Sequence, residues 1–520
     1  MKHLTLKSLF AVCMLSSTSL FAQQEVVDTA VFSRIRNAEL KDSHIPHIAH
    51  YLTDVSGPRL TGSPGFKRAA EWAVETMKKW GLVNATLEPW GQFGKNWEIQ
   101  DFSVMMKVPY AQPVMAYPDP WSSNTNGLQQ APVILLTQAQ SRDTTYISQH
   151  LNDFKGKFIL VAGGPINTAD NFKPSAKRLT DAELADMKDT YMVNHDLIVQ
   201  FLASFKMLNK VSILFKQSGA IGIINTGRAN INGTVFVQAR SGYKLTNPES
   251  VPSVSMALED ALKIKRLIES GHPVEIALNI NGKLSTEDNK GYNVVAEIPG
   301  TDRKLKSQLV MLGGHLDSWS AATGATDNAA GCIVMMEAVR LLDSLGLKPK
   351  RTIRIALWSG EEQGVYGSYN YAKNHFMDAE KGTVKAEQAK VSAYFNLDNG
   401  TGKIRGIFAQ NNTAMKPIFE QWFAPFHDLG ASTVTLKNTG STDHLSFDWA
   451  GIPGFQFIQD PIDYETRTHH SNMDSYDHLQ IDDLKQAAII VASFVYQTSI
   501  RPDLLPRKPL VKETFAFDGL

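Results

Sequence analysis

Apolar runs alternate with helical segments in the second half of the chain, from about residue 291 onward. The apolar runs predict buried strands at Val294–Ile298, Gln308–Leu312, Thr352–Trp358, Val391–Leu397 and Ile452–Ile458. Segments with an apolar face at helical spacing predict helices at Ala329–Leu345, Tyr366–His375, Met415–Leu429 and Leu484–Thr498. Strands that alternate with helices are typical of a parallel sheet covered by helices. We therefore expect an α/β fold with a mostly parallel central sheet flanked by helices.

The first half of the chain has a different pattern. Two helices are predicted at 30–50 and 64–81, followed by a strand-like stretch over 83–128. Short β-prone runs then predict strands at Val133–Leu136, Phe158–Val161, Ile221–Asn225 and Val274–Ile280. A further helix is predicted at Asp260–Gly271, and a charged helical insertion near 170–210. We expect a β-rich insert over 129–284, with 23–128 and 285–520 forming one discontinuous domain.

The N-terminus predicts secretion. Lys2 and Lys7 precede a short apolar stretch, Leu9–Ala22, that ends in a small residue, which is typical of a signal peptide over residues 1–22. A lipoprotein box ending at Cys13 and a buried N-terminal helix remain as alternatives. No later apolar run is long enough to predict a membrane span. Without the signal peptide, Cys332 is the single cysteine, and its apolar neighbours predict a core residue rather than a nucleophile.

Composition narrows the choice of partners. The 520 residues are 43% hydrophobic and 20% charged, as in an ordinary globular protein. Lys+Arg and Asp+Glu are both 52, so no global electrostatic field indicates binding to nucleic acid or to an anionic membrane. Neither His-Glu-x-x-His nor Gly-x-Ser-x-Gly occurs, which argues against a single-zinc protease of that type and against a serine hydrolase.

Five polar clusters stand in the second half of the chain, and three of them follow the ends of predicted strands. Those three are Gly313-Gly314-His315-Leu316-Asp317, Gly360-Glu361-Glu362-Gln363-Gly364 and Asp398-Asn399-Gly400. The other two are Gly324-Ala325-Thr326-Asp327-Asn328, at the entrance to a predicted helix, and Thr468-His469-His470-Ser471-Asn472-Met473-Asp474, late in the chain. Open α/β sheets place their sites at the carboxyl ends of parallel strands. Imidazole and carboxylate are ligands that suit zinc in a hydrolytic site. Two imidazoles and three carboxylates around two Zn²⁺ would leave a charge of about +1, which favours a bound hydroxide.

The order of these clusters resembles a known family. His-x-Asp, Asp-Asn, Glu-Glu, Asp and His-Ser-x-x-Asp follow one another as in the dizinc peptidases of the aminopeptidase and glutamate carboxypeptidase type, whose fold is phosphorylase/hydrolase-like. The resemblance implies two Zn²⁺ per chain and a cis bond between Asp327 and Asn328. It implies these metal ligands: His315 and Asp398 on one ion, Glu362 and His470 on the other, and Asp327 on both. Glu361 would be the general base, and Asp317 would hold the His315 ring in the required tautomer.

The resemblance extends beyond the clusters. Residues 130–284 resemble a protease-associated domain, and Val55-Ser56-Gly57-Pro58-Arg59-Leu60-Thr61-Gly62-Ser63 resembles the N-terminal segment of carboxypeptidase Q-like members. The family implies a zinc-dependent exopeptidase, an aminopeptidase or a dipeptidase, that hydrolyses short peptides. It also suggests a homodimer. The predicted signal peptide places the protein in the periplasm or outside the cell.

Several alternatives remain at this point. Each of the five metal-binding residues also has an ordinary structural interpretation when it is taken alone, such as a helix cap or a turn. His469 competes with His470 as a ligand, and the His-Ser-x-x-Asp pattern favours His470. His444 has either a role near the substrate or a structural role. A glutaminyl cyclase-like acyltransferase and a non-catalytic, receptor-like relative of the peptidases are the competing functions.

Overall fold

The structure is a computed structural model that describes residues 25–166, 172–187, 195–226, 232–378 and 381–510. The predicted signal peptide, with Cys13, lies outside the described residues. None of the described helices is both long enough and apolar enough to cross a bilayer.

Two large sheets organise the described chain. The strands are, in chain order, β1 (Val83–Gln92), β2 (Asn96–Val108), β3 (Gln112–Pro113), β4 (Ala116–Pro118), β5 (Gln129–Leu136), β6 (Phe158–Val161), β7 (Gly222–Asn225), β8 (Ser253–Met256), β9 (Glu275–Ser285), β10 (Lys290–Ile298), β11 (Leu309–His315), β12 (Thr352–Trp358), β13 (Met377–Asp378), β14 (Thr383–Val384), β15 (Val391–Asn396), β16 (Ile404–Phe408), β17 (Thr433–Thr435) and β18 (Gly454–Gln459). The central sheet has the order β1-β10-β12-β11-β15-β18-β16-β17, and the second sheet has the order β3-β2-β9-β5-β6-β7-β8-β4.

The predicted α/β fold with a mostly parallel central sheet is confirmed. Its middle strands β12, β11, β15 and β18 run parallel, and β16 pairs parallel with β17. Antiparallel pairing joins β1 to β10, β10 to β12 and β16 to β18. The residues of β15 are all buried, as expected for a strand covered by helices on both faces.

Helices cover the central sheet. The α-helices are, in chain order, α1 (Thr29–Lys41), α2 (Ile45–His50), α3 (Pro64–Lys79), α4 (Thr144–Gln149), α5 (Leu151–Phe154), α6 (Asp181–Ala185), α7 (His195–Gln217), α8 (Leu258–Glu269), α9 (Ala330–Ser344), α10 (Tyr366–His375), α11 (Lys416–Phe423), α12 (His444–Trp449) and α13 (Ile481–Ile500). Helices α9 and α13 pack side by side on one face and are almost entirely buried. Helices buried to this extent lie inside the core, so these two helices mark the centre of the domain.

Two predicted helices differ from the observed ones. The helix predicted at 30–50 is divided, because α1 ends at Lys41 and α2 begins at Ile45. Pro46 explains the division, since proline lacks the amide hydrogen that a continuous helix needs and is tolerated only in a first turn. The helix predicted over Met415–Leu429 is α-helical only as far as Phe423, and it tightens into 3₁₀ turns where Pro425 follows.

The second sheet begins earlier in the chain than the predicted insert. The insert was expected from residue 129, whereas β2, β3 and β4, between 96 and 118, already belong to the second sheet. The long pairing of β2 with β9 joins them. The alternation of residues over 83–128 predicts strands, but it does not specify the sheet to which each strand belongs.

Candidate metal centre

The carboxyl ends of three neighbouring strands bring the predicted site residues together. His315 is the last residue of β11 and lies opposite Trp358, the last residue of β12. Glu361 and Glu362 follow β12 after a turn, and Asp398 follows β15. Because parallel strands end at the same edge of a sheet, register alone places these side chains close to one another.

Asp327 lies between the two imidazoles. Its Oδ1 is 3.3 Å from His315 Nε2, and its Oδ2 is 3.1 Å from His470 Nε2. Asp398 Oδ1 lies 3.3 Å from the same nitrogen of His315. Glu362 Oε2 lies 2.9 Å from His470 Nε2. Each oxygen of Asp327 therefore faces a different imidazole, which is the arrangement that a carboxylate shared by two cations requires.

The turn that carries Asp327 is held by other side chains. The Asp327–Asn328 peptide bond is cis, as the resemblance implies. Asp474 Oδ1 accepts a hydrogen bond from the Thr326 amide at 2.6 Å, and Asp474 Oδ2 accepts one from the Asp327 amide at 3.1 Å. The side-chain nitrogen Nδ2 of Asn328 donates to Leu397 O at 2.9 Å. Asp474, the aspartate of the His-Ser-x-x-Asp pattern, thus fixes the backbone of Asp327.

The His315 ring is oriented by a backbone carbonyl. His315 Nδ1 donates to Asp317 O at 2.9 Å, whereas the Asp317 carboxylate lies 3.8 Å from that nitrogen. A carbonyl can only accept, so Nδ1 carries a proton and Nε2 is the ring nitrogen that faces Asp327 and Asp398. This orientation leaves Nε2 as the atom that can bind a cation, although the group that fixes it is the carbonyl of Asp317 and not its carboxylate.

The Asp317 carboxylate instead holds the loop that carries the two glutamates. It accepts hydrogen bonds from the amides of Glu361 at 3.3 Å and Glu362 at 3.4 Å, and from Thr61 Oγ1 at 2.9 Å. Gly360, which precedes the glutamates, has a φ angle of 70°, in the left-handed region that favours glycine. Its backbone amide donates to Thr61 Oγ1 at 2.9 Å. The Val55–Ser63 segment therefore supports the glutamate loop through Thr61.

Burial and mutual repulsion shift the pKa values of the acids in this centre. Burial raises the pKa of Glu361 well above its usual range, and neighbouring carboxylates raise it further. Burial also raises the pKa of Glu362. Burial alone would lower the pKa of both imidazoles, but Asp398 and Glu361 raise the pKa of His315 well above its usual range, and Glu362 and Asp327 raise that of His470 to about 10. The centre therefore favours positive charge at the imidazoles.

The side chains fit a pair of cations better than a set of protons. Two groups of possible ligand atoms, each within 4.8 Å of one another, share Asp327: one contains His315 and Glu362, and the other contains His469 and His470. Glu362 Oε1 is buried without a hydrogen-bond partner. Buried polar atoms normally have partners, and oxygen atoms aimed at one point without a donor are what a cation satisfies.

The two adjacent histidines differ in position. His470 Nε2 contacts both Asp327 and Glu362, whereas His469 Nε2 lies 3.8 Å from Asp327 and His469 Nδ1 lies 3.6 Å from Glu465. The His469 ring stacks on Tyr464 at 4.7 Å. The geometry thus favours His470 as the ligand and leaves His469 beside the centre.

Known proteins match this chain over most of its length. Residues 293–495 match the sequence profile of Peptidase family M28. A carboxypeptidase Q of Xenopus laevis is 30% identical over 459 residues, covering 87% of this chain and 84% of that protein. The chain belongs to peptidase family M28. A carboxypeptidase Q of Bos taurus is 27% identical over 458 residues, covering 88% of this chain and 85% of the relative.

Solved structures of the family share the fold. A peptidase M28 precursor from Shewanella amazonensis aligns with a TM-score of 0.67 at 23% identity, covering 92% of this chain and 98% of that one. A zinc aminopeptidase from Bacillus subtilis aligns with a TM-score of 0.55 at 20% identity, covering 88% and 95%. Both similarities span the two sheets described above.

His444 differs in kind from the site residues. It is buried at the start of α12, its Nε2 lies 3.1 Å from Thr439 O, and burial lowers its pKa to about 4. These contacts favour the structural interpretation. Its neighbour Asp443 is fully buried, with neither carboxylate oxygen hydrogen-bonded, and burial together with nearby acids raises its pKa to about 8.

No role was predicted for Arg59, Gln238 or Asp443. Arg59 is fully buried and donates to the carbonyls of Leu316 at 2.7 Å and Gly324 at 2.7 Å, which joins the end of β11 to the Asp327 turn. Gln238 contacts His470. The arginine lies within the segment that resembles carboxypeptidase Q-like members, so one signal for it was present, whereas nothing in the local sequence distinguishes Gln238 from an ordinary surface residue.

Proposed function

We propose that this protein is a zinc-dependent exopeptidase that hydrolyses terminal peptide bonds of short peptides. The observation that carries the proposal is Asp327, whose two oxygens face two different imidazoles, each accompanied by a further carboxylate. In this proposal His315 and Asp398 hold one Zn²⁺, Glu362 and His470 hold the other, and Asp327 is shared. The names of the carboxypeptidase Q relatives and of the zinc aminopeptidase with the same fold support this choice.

Glu361 is the proposed general base. When bound, the two zinc ions supply Lewis acidity toward the scissile carbonyl and the attacking water. Glu361 Oε2 lies 3.9 Å from His315 Nε2, close to the proposed ligands but free to accept a proton. It accepts the proton of the attacking water and returns it to the nitrogen of the leaving amine. The first step requires an ionised carboxylate, and cations bound beside Glu361 would favour that form over the protonated form that burial favours in their absence.

The second sheet is proposed to be a protease-associated insert that narrows access to the centre. The segment Val235–Gln238, in the connection between β7 and β8 of that sheet, pairs with the loop that carries His470, since Phe236 and Ser471 form a β-bridge. A wall at this position would favour short substrates over folded proteins. Secretion and a homodimer remain predictions from the sequence and the family.

The test is hydrolysis by the stripped and zinc-reloaded protein. We expect cleavage of dipeptides, aminoacyl reporters or peptides with one free end, loss of cleavage after removal of metal, and recovery with zinc. Glu361→Gln should keep its fold and its metal while turnover falls about 100- to 10,000-fold. The exposed Glu287→Gln is the matched control and should behave as the wild type. Near-normal turnover in Glu361→Gln would refute the base assignment.

A further inference from the structure

His470 has a backbone conformation that needs support from outside its own loop. Its φ is 61, in the left-handed region that residues with a side chain rarely adopt. Such a conformation is unfavourable for a residue with a side chain and persists only where surrounding contacts impose it. The proposed ligand is therefore not positioned by its local sequence alone.

The support comes from the segment Val235–Gln238, which lies in the connection between β7 and β8 of the second sheet. The Val237 amide donates to His470 O at 2.8 Å, and the Val235 amide donates to Asn472 Oδ1 at 2.7 Å. The Asn472 amide returns a hydrogen bond to Val235 O at 3.1 Å. Together with the β-bridge between Phe236 and Ser471, these contacts place three of the four residues of the segment against the loop 470–472, more than 230 residues away in sequence.

The fourth residue of the segment reaches the imidazole itself. The side-chain nitrogen Nε2 of Gln238 lies 2.8 Å from His470 Nδ1, the ring nitrogen that faces away from Asp327 and Glu362. A glutamine amide can present either its NH₂ group or its oxygen after a rotation of 180°. With the NH₂ group forward it donates to an unprotonated Nδ1. With the oxygen forward it accepts from a protonated Nδ1.

Only the second arrangement allows His470 to bind a cation through Nε2. A ligating nitrogen carries no proton, so the single proton of the neutral ring must be on Nδ1, where the amide oxygen accepts it. His315 differs, because its partner is a carbonyl that can only accept. The tautomer of His315 is thus fixed by the backbone that follows β11, whereas that of His470 depends on a side chain from the connection between β7 and β8 of the other sheet.

We infer that Gln238 is a positioning residue for the proposed zinc ligand His470. The segment Val235–Gln238, between β7 and β8, is then part of the metal centre and does not only narrow the access to it. This inference rests on the proposed function for the identity of His470 as a ligand. It assigns to Gln238 no contact with substrate. It predicts that the acceptor character of residue 238, and not its size, sets the affinity for the zinc that His470 would hold.

The experiment is a zinc competition titration of the full chain against a chromophoric chelator. Three variants are compared with the wild type. Gln238→Met keeps the length of the side chain but cannot accept a hydrogen bond, Gln238→Glu can only accept, and the exposed Gln138→Met makes the same chemical change elsewhere in the predicted insert. Far-ultraviolet circular dichroism and thermal unfolding show whether each variant is folded.

We expect Gln238→Met to bind one zinc about 10-fold more weakly, at the low end of the range for partners of metal ligands, because Gln238 is exposed and water replaces part of its contact. Gln238→Glu should bind at least as tightly as the wild type, and Gln138→Met should be unchanged. Equal affinity in Gln238→Met and the wild type would overturn the inference while leaving the proposed function intact. Equal weakening in Gln238→Glu and Gln238→Met would also overturn it. Failure of the wild type to bind zinc would instead refute the proposed function.

Discussion

The described chain contains two buried clusters of acids, and they are balanced in different ways. In the metal centre, Asp327, Glu362 and Asp398 surround two imidazoles. Under the N-terminal helix α1, Glu39 lies against Glu337, and Arg340 donates to Glu337 from two of its nitrogens at 2.6 and 2.8 Å. One cluster is accompanied by potential metal ligands, and the other by a guanidinium.

The difference separates a chemical site from a structural one. Arg340 also donates to Asp42 O at 2.7 Å, so the guanidinium joins α9 to the end of α1. Its positive charge is balanced by Glu337. Burial and the neighbouring Glu337 together raise the pKa of Glu39 to about 9, so this carboxyl keeps its proton at neutral pH. Buried acids are therefore not sufficient to indicate a metal site. Histidines with Nε2 directed among the carboxylates are the distinguishing feature.

Removal of the guanidinium should have the largest effect on stability. Arg340→Met leaves Glu337 buried without its partner, which we expect to destabilise the fold by about 3–5 kcal/mol. Zinc affinity of the folded protein should not change. Urea unfolding measures the free energy of unfolding, and chelator competition measures the zinc affinity. Arg36→Met removes an exposed ion pair with Asp428 and should change stability by less than about 0.5 kcal/mol. A large loss of zinc affinity in Arg340→Met would show that the two clusters are not independent.

Removal of the acid behind Asp327 should affect metal binding instead. Asp474→Ala frees the amides of Thr326 and Asp327, so the turn no longer holds the shared carboxylate in place. We expect zinc affinity to fall about 10- to 100-fold, as for other partners of metal ligands. Isothermal titration with zinc measures it. The exposed Asp477→Ala, three residues away, should bind zinc as the wild type does. Equal affinity in both variants would contradict the supporting role of Asp474.

Neutralising Glu39 should have the smallest effect, and a pH-dependent one. Between the ordinary glutamate pKa of 4.5 and about 9, the unfolded chain loses a proton that folded Glu39 retains, so stability falls as pH rises through this window. Glu39→Gln removes that loss and should stabilise the protein by roughly 1–2 kcal/mol at pH 8 and by much less at pH 5.

Urea unfolding at the two pH values measures the Glu39→Gln difference. The exposed Glu420→Gln is the control and should show no such difference. A gain in Glu39→Gln that is equal at pH 5 and pH 8 would mean that Glu39 is ionised in the fold.

The part of the molecule that was predictable from sequence is the part set by strand ends. The apolar runs that become β11, β12 and β15 are followed at once by His315, Glu361 and Asp398, so periodicity and order were sufficient to place them. Helices α3 and α10 were predicted to within two residues, because Ser63 and Pro64 mark the start of one and an apolar face marks the other.

The rest depends on contacts between distant segments. Gln238 and His470 are 232 residues apart, and nothing in either segment specifies the other. Strand β16 and its antiparallel pairing with β18 were not predicted, because Arg405 and Gly406 interrupt the apolar residues of Ile404–Phe408. The Asp317 carboxylate was assigned to His315, but the strand register brings it to the Glu361–Glu362 backbone.

The central claim is that the acids and imidazoles at the sheet edge hold two cations that share Asp327. Anomalous diffraction at the zinc edge, from crystals of the zinc-reloaded protein, tests it most directly. The account predicts two peaks per chain, one in contact with His315 and Asp398 and the other with Glu362 and His470, with Asp327 touching both. A single peak, or a second peak bound away from Asp327, would contradict it.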